Sequence, residues 1–240
     1  MDKEKLFRNV VANLLLFSAV IGVIAVTNSS GIKSVFSGAA DGVIYRGNPS
    51  KNRVSLMINV YWGTEYIAGM LDILEREGVK ATFFVGGSWV AGNEETFMRI
   101  YKAGHEIGNH GYFHKDHKQI SEARNREEIE VCGGLVERVS GYKMELFAPP
   151  SGSFGKITLR VADSLGYKTV LWSKDTVDWR DKDADLVYNR ATRKLANGDL
   201  ILMHPTEHTL KALKKIITTI KEQGFVPTTV SENIAVDGNV

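Results

Sequence analysis

From residue 53 onward, short apolar runs alternate with longer amphipathic stretches, and glycine closes most of the stretches. Apolar runs at residues 54–58, 81–85, 105–109, 146–147, 168–172, 200–203 and 225–230 predict buried strands. Between them, residues 63–78, 94–103, 122–139, 156–165, 183–196 and 206–223 predict helices. The first of these carries Ile67, Met70, Leu71 and Leu74 on one face, and Gly78 stops it. Strands joined by helices must pair in parallel through right-handed crossovers. About seven such strands in about 180 residues predict an α/β fold, a distorted (β/α) barrel short of the full eight units. An open doubly wound sheet is the alternative, but no glycine-rich phosphate fingerprint follows the first strand. In both architectures the working side chains sit at the carboxyl ends of the strands.

Those ends carry an unusual set of groups. The first strand runs out into Asn59, Val60, Tyr61 and Trp62. The third runs into His110 and His114, whose spacing lets two imidazoles converge on one ion if the segment curls into a turn. Ala148, Pro149, Pro150, Ser151 and Gly152 follow the fourth strand. The fifth delivers Asp175, Asp178 and Trp179, and the sixth delivers His204 directly after Leu-Ile-Leu-Met. Three histidines, an aspartate and aromatic side chains on one rim predict a metal-hydrolase pocket. A bound metal acidifies water, and a third imidazole can protonate a leaving group. Trp62 and Trp179 are candidates for stacking on sugar. The run Lys115-Asp-His117-Lys118 reads as a solvated loop.

At these residues the chain resembles the polysaccharide deacetylases of carbohydrate esterase family four, the NodB homology domain. The resemblance covers residues 53–230 and is most specific at Ala81-Thr-Phe-Phe-Val85 and at His105-Glu-Ile-Gly-Asn-His110-Gly-Tyr-Phe-His114. It implies a divalent metal, zinc or similar, and removal of acetyl groups from chitin, peptidoglycan or xylan. By the same resemblance His110 and His114 are metal ligands, and His204 is the general acid. Asp175, the first Asp of the D-x-x-D-W block, supports that acid, and Trp179 lines the acetyl pocket. Pro149, Ser151 and Trp62 complete the substrate-binding set, and the backbone amide of Ser151 is a candidate oxyanion donor.

Two blocks depart from the family pattern. The family's T-F-D-D block falls on Met57-Ile58-Asn59-Val60, so the base position is Asn59 and the third metal-ligand position is Val60. The Arg of the R-P-P-x-G block is Ala148. Asn59 has no useful basicity, and Val60 cannot bind an ion. An Arg at 148 would then lack its carboxylate partner, so losing both together is physically coherent. Two readings follow. One is a deacetylase-like protein acting on N-acetylated cell-wall glycan. The other is a catalytically degenerate homologue that binds glycan or acts as a scaffold.

The remaining features concern the setting. Residues 10–26 form an apolar run behind Lys3, Lys5 and Arg8. That length and charge order predict a signal-anchor with the carboxyl-terminal domain outside the membrane, or alternatively a cleaved signal peptide. The predicted organisation is an anchor over residues 1–28, a linker and lead-in over 29–52, and the folded domain over 53–240. Net charge is +2, too small to suggest a nucleic-acid partner. The single cysteine, Cys132, allows no internal disulfide and falls on a helical pattern, where it reads as a packing residue.

Overall fold

The computed structural model describes residues 42–235. The expected anchor and the first part of the linker lie outside the described residues. Among the described residues, no helix is long and apolar enough to cross a membrane.

The strands are β1 (Val43–Ile44), β2 (Arg53–Val60), β3 (Thr82–Val85), β4 (Glu106–Asn109) and β5 (Leu146–Phe147). They continue with β6 (Lys168–Val170), β7 (Lys174–Asp175), β8 (Leu200–Met203) and β9 (Val226–Thr228). The helices are α1 (Thr64–Arg76), α2 (Gly87–Gly92), α3 (Glu94–Lys102), α4 (Glu122–Ser140), α5 (Lys156–Ser164), α6 (Ala184–Thr192), α7 (Glu207–Glu222) and α8 (Val230–Ile234).

The strand order is β1-β6-β5-β4-β3-β2-β8-β7, with β9 added to the early part of β2. Every ladder is parallel. This is a curled parallel sheet, as the strand–helix alternation requires. The expected seven strands become nine among the described residues, because two-residue strands leave no periodic signal. The run expected at 168–172 ends early: β6 pairs with β1 and β5 and stops at Val170, Leu171 to Ser173 cross over, and β7 joins β8. The Ser173 amide donates to the Leu200 carbonyl (3.0 Å), which carries the crossing.

The described part of the lead-in, from residue 42, packs with the sheet. β1 pairs with β6, and the Gly47 amide donates to the Gly198 carbonyl at 2.7 Å. Arg46 reaches the buried Asp199 at 2.7 Å. The last expected strand also ends early. Thr229 caps α8 by accepting from the Glu232 amide, so Val230 is helical.

β2 shows why the sheet is central. It pairs with β3, β8 and β9, and its residues from Val54 to Val60 are all buried. Such a strand reads as a continuous apolar run. Leu56, Ile58 and Val60 pack outward against Ile67, Met70 and Leu74 of α1 and Leu213, Ile216 and Ile217 of α7. Met57, Phe84, Leu146, Ala148 and Val170 fill a second, smaller cluster. Cys132 is fully buried, its Sγ 3.4 Å from the Val85 carbonyl, and burial pushes its thiol up to about 12. It packs, as expected.

Candidate active site

The carboxyl ends of β2, β4, β5, β7 and β8 surround a cleft of about 470 Å³. Asn59, Trp62, His110, His114, Ser151, Asp175, Trp179 and His204, all expected at strand ends, line it. Pro149 does not line it and is buried. Tyr61, Trp172 and Leu202 also line it. Trp172, the last residue of the strand expected at 168–172, falls in the β6–β7 crossing.

His110 follows β4 immediately. Its amide donates to the Val85 carbonyl (3.0 Å), and its Nδ1–H donates to the Ala148 carbonyl (2.7 Å). That second bond fixes the tautomer and leaves Nε2 as the bare nitrogen. Burial, then the neighbouring His114, lowers its pKa to about 3. His114 is not on a helical turn. Gly111 (φ +70°) and His114 (φ +54°) are both left-handed, and the two rings meet edge to face with centroids 5.1 Å apart.

The loop between these histidines is held from behind. Glu128 of α4 is buried, and its Oε2 accepts from the Tyr112 amide (2.9 Å) and the Phe113 amide (2.6 Å). Its other oxygen takes Arg124 at 2.8 Å. From the other side, the Gly87 and Ser88 amides of α2 donate to the carbonyls of Gly111 and Tyr112. His117 is buried here too, with Nδ1 2.7 Å from Asn125 Oδ1, so the run around it is not wholly solvated.

His204 follows β8. Its support is Asp178, not Asp175. The Asp178 carboxylate accepts from the His204 amide (2.6 Å), His204 Nδ1–H (2.7 Å) and the Thr209 hydroxyl (2.5 Å). Burial raises the Asp178 pKa, but these bonds and the attraction of His204 outweigh it, and the carboxyl stays below its ordinary value. Asp175 instead turns its Oδ1 to the Val177 amide at 2.8 Å and faces the cleft. Spacing alone cannot separate the two aspartates, because the left-handed Val177 between them (φ +52°) reverses the chain. A β-branched residue at positive φ is strained. The loop is pinned by Arg190, which donates to the Thr176 carbonyl at 3.0 Å.

Trp62 lies flat against His204, with planes 8° apart and centroids at 5.7 Å. Trp179 is 56% exposed and Trp62 44%, so both present open faces.

Asn59 and Val60 hold the two positions that the family pattern gives to carboxylates; Asn59 lines the cleft and Val60 does not. Val60 is fully buried and packs in the main core. Asn59 Oδ1 is buried and makes no hydrogen bond among the described residues. Ala148 sits in the apolar cluster beneath the cleft. Among the described residues, no group of three His, Cys, Asp or Glu side chains could hold an ion. Two imidazoles without a carboxylate do not fit the three-ligand set of catalytic zinc.

The family model "Polysaccharide deacetylase" matches residues 46–170. The chain belongs to the polysaccharide deacetylase family. Members of this family are generally metal-dependent, which makes the donor set just described a departure. The crystal structure of BA3943, a CE4 family pseudoenzyme from Bacillus anthracis, is 40% identical. It superposes with a TM-score of 0.79 over 80% of this chain and 69% of that one. A BA3943 mutant described as having restored enzymatic activity superposes equally well, at 0.79. YlxY of Bacillus subtilis, an uncharacterized protein, is 43% identical over 189 residues, which is 79% of this chain and 59% of YlxY. The peptidoglycan-N-acetylmuramic acid deacetylase PdaA of the same organism is 30% identical over 75% of this chain and 71% of its own length.

Proposed function

We propose that this deacetylase-like chain binds cell-wall glycan in the groove of its family but no longer hydrolyses it. The observation that carries the reading is the pairing of a kept cleft with a lost centre. His110, His114, His204 and the aromatic wall converge, while the two carboxylate positions hold Asn59 and the core residue Val60. Of the four non-glycine residues at positive φ among the described residues, His114 and Ser151 line the cleft and Val177 lies two residues from the lining residue Asp175. Strain of this kind costs about 1–3 kcal/mol per residue and persists where a site needs it. A groove without a use would not need to keep it.

The likeness to a protein described as a pseudoenzyme supports this reading, and the peptidoglycan deacetylases among the relatives support cell-wall glycan as the ligand. The intact Asp178–His204 pair is the one feature favouring hydrolysis, since it would suit a general acid. An anchor through residues 10–26, with the domain outside the membrane, would place the groove at the wall. The test is direct. The purified chain should co-sediment with insoluble peptidoglycan and release no acetate from it or from N-acetylglucosamine oligomers. Acetate release that is abolished by His204→Ala would overturn the reading.

A further inference from the structure

The histidine cleft does not end at its aromatic wall. Trp62 and Trp179 also line a second groove, of about 580 Å³, and they are the two residues common to both linings. The second groove lies among the loop that follows β7 and the first turns of α1 and α7. The two indoles are 44% and 56% exposed, so they form an open ridge between the two spaces.

The backbone holds both rings in place. Gly63, directly after Trp62, is left-handed (φ +76°) and so close to Pro205 that a Cβ there would overlap the Pro205 carbonyl oxygen. Trp179 follows the strained Val177 in the loop that Arg190 pins. His208, which lines the second groove, ties the same loop to α7: its Nε2–H donates to the Asp178 carbonyl at 2.6 Å. A ridge fixed from both sides loses little freedom when a ligand settles on it.

Beyond the ridge, the groove mixes donors and acceptors. Glu207 and Lys211 satisfy each other at 2.5 Å. Glu65 and Lys182 are exposed, and neither side chain makes a hydrogen bond or ion pair among the described residues. Tyr66 adds a ring with a hydroxyl. Glu65 accepts, Lys182 donates and Tyr66 does both. Such a surface suits a ligand with apolar faces and hydroxyls that both donate and accept, which is the make-up of a sugar ring. Two open grooves joined over exposed indoles suit a chain of such rings rather than one small molecule.

Building on the glycan-binding reading above, we propose that the second groove holds further sugar residues of the same strand. The polymer crosses from the histidine cleft over Trp62 and Trp179, and the sugars beyond the crossing lie against Tyr66 and Lys182. The chain then grips a run of polymer and holds short fragments weakly.

The experiment is calorimetric titration of the full chain with the dimer and the hexamer of N-acetylglucosamine. A two-residue site can seat a hexamer in about five registers, so about fivefold tighter binding needs no second groove. The expected advantage of the hexamer is at least tenfold. Lys182→Ala, at an exposed loop position, and Tyr66→Ala should each cut that advantage toward about fivefold and leave dimer affinity unchanged. Urea midpoints of the variants identify any loss that comes from unfolding, and Lys182→Ala decides the matter if Tyr66→Ala is unstable. A hexamer advantage within the register factor overturns the inference and leaves glycan binding standing. A large advantage that Lys182→Ala leaves intact overturns it too, because the extra sugars then lie elsewhere. An equal loss for dimer and hexamer in folded Lys182→Ala overturns it as well, because the two grooves are then one site. Binding of neither oligomer overturns the inference together with the reading beneath it.

Discussion

Replacing Asp178 separates what the fold shows from what motif spacing implied. Its carboxylate is 1% exposed and accepts three hydrogen bonds, two from His204 and one from Thr209. In Asp178→Ala the His204 amide, His204 Nδ1–H and the Thr209 hydroxyl all lose their acceptor, because Thr209 is itself the acceptor of its 2.9 Å bond from Thr206. Three stranded donors at about 1–3 kcal/mol each, or a buried pair broken at about 3–5 kcal/mol, overlap in scale. The expected loss is about 3–5 kcal/mol. Asp178→Asn keeps one acceptor oxygen but turns an amide toward donors, and should cost about 2–3 kcal/mol. Asp175→Asn keeps the bond to Val177 and should cost under about 1 kcal/mol. Urea unfolding followed by tryptophan fluorescence measures all three, and Trp62 against His204 reports the site itself. If Asp175→Asn costs as much as Asp178→Asn, or Asp178→Ala costs less than about 1 kcal/mol, the assignment of Asp178 as the support is wrong.

Other outcomes follow from the same geometry. The pKa of His110 is lowered to about 3 and that of His105 to about 4, chiefly by burial, so both are neutral in the fold. Stability they contribute is complete above the unfolded histidine pKa and drains away as pH falls toward the folded values. Between pH 7.5 and 5, His110 alone should cost about 2 kcal/mol in urea unfolding, and an unchanged midpoint would contradict its burial. Asp178 does not contribute to that change, because its lowered pKa acts only below the ordinary carboxylate range. Glu128→Gln should cost about 2 kcal/mol and weaken glycan binding, because the His110–His114 loop loses the charge that holds two amides; glycan affinity equal to the parent would show that the loop holds itself. Val60→Asp alone should destabilise by about 3 kcal/mol, as an unpaired carboxylate in the core. Combined with Asn59→Asp and Ala148→Arg, it should bring zinc binding and acetate release, and no gain would mean that the groove has diverged too. Removing residues 1–28 should abolish carbonate-resistant membrane association, and persistence would refute the anchor.

Much of this was legible in sequence, for physical reasons that also explain what was not. Long elements announce themselves because burial repeats along them: Ile67, Met70, Leu71 and Leu74 recur on α1, and the apolar run of β2 is buried on both faces. Parallel topology then delivers strand ends to one rim, which is why His110, His114 and His204 could be grouped from residues far apart in the chain. What sequence could not show is set by single left-handed residues and by lone buried charges. Val177 turns the loop so that Asp178 faces His204 and Asp175 faces the cleft. Glu128 looks like any acid of a charged helix, yet it is fully buried beneath the histidine loop. The two departures from the family differ in the same way. Val60 adds apolar packing at the position that the family pattern gives to a ligand, so the core gains what the site loses. Asn59 gains nothing comparable, since its Oδ1 is buried without a partner. A buried acceptor left unpaired costs about 1–3 kcal/mol, and a chain keeping only a scaffold could relieve that cost with an apolar residue. An amide held there at that cost, beside imidazoles whose tautomers are fixed, is what a polar ligand in the cleft would require.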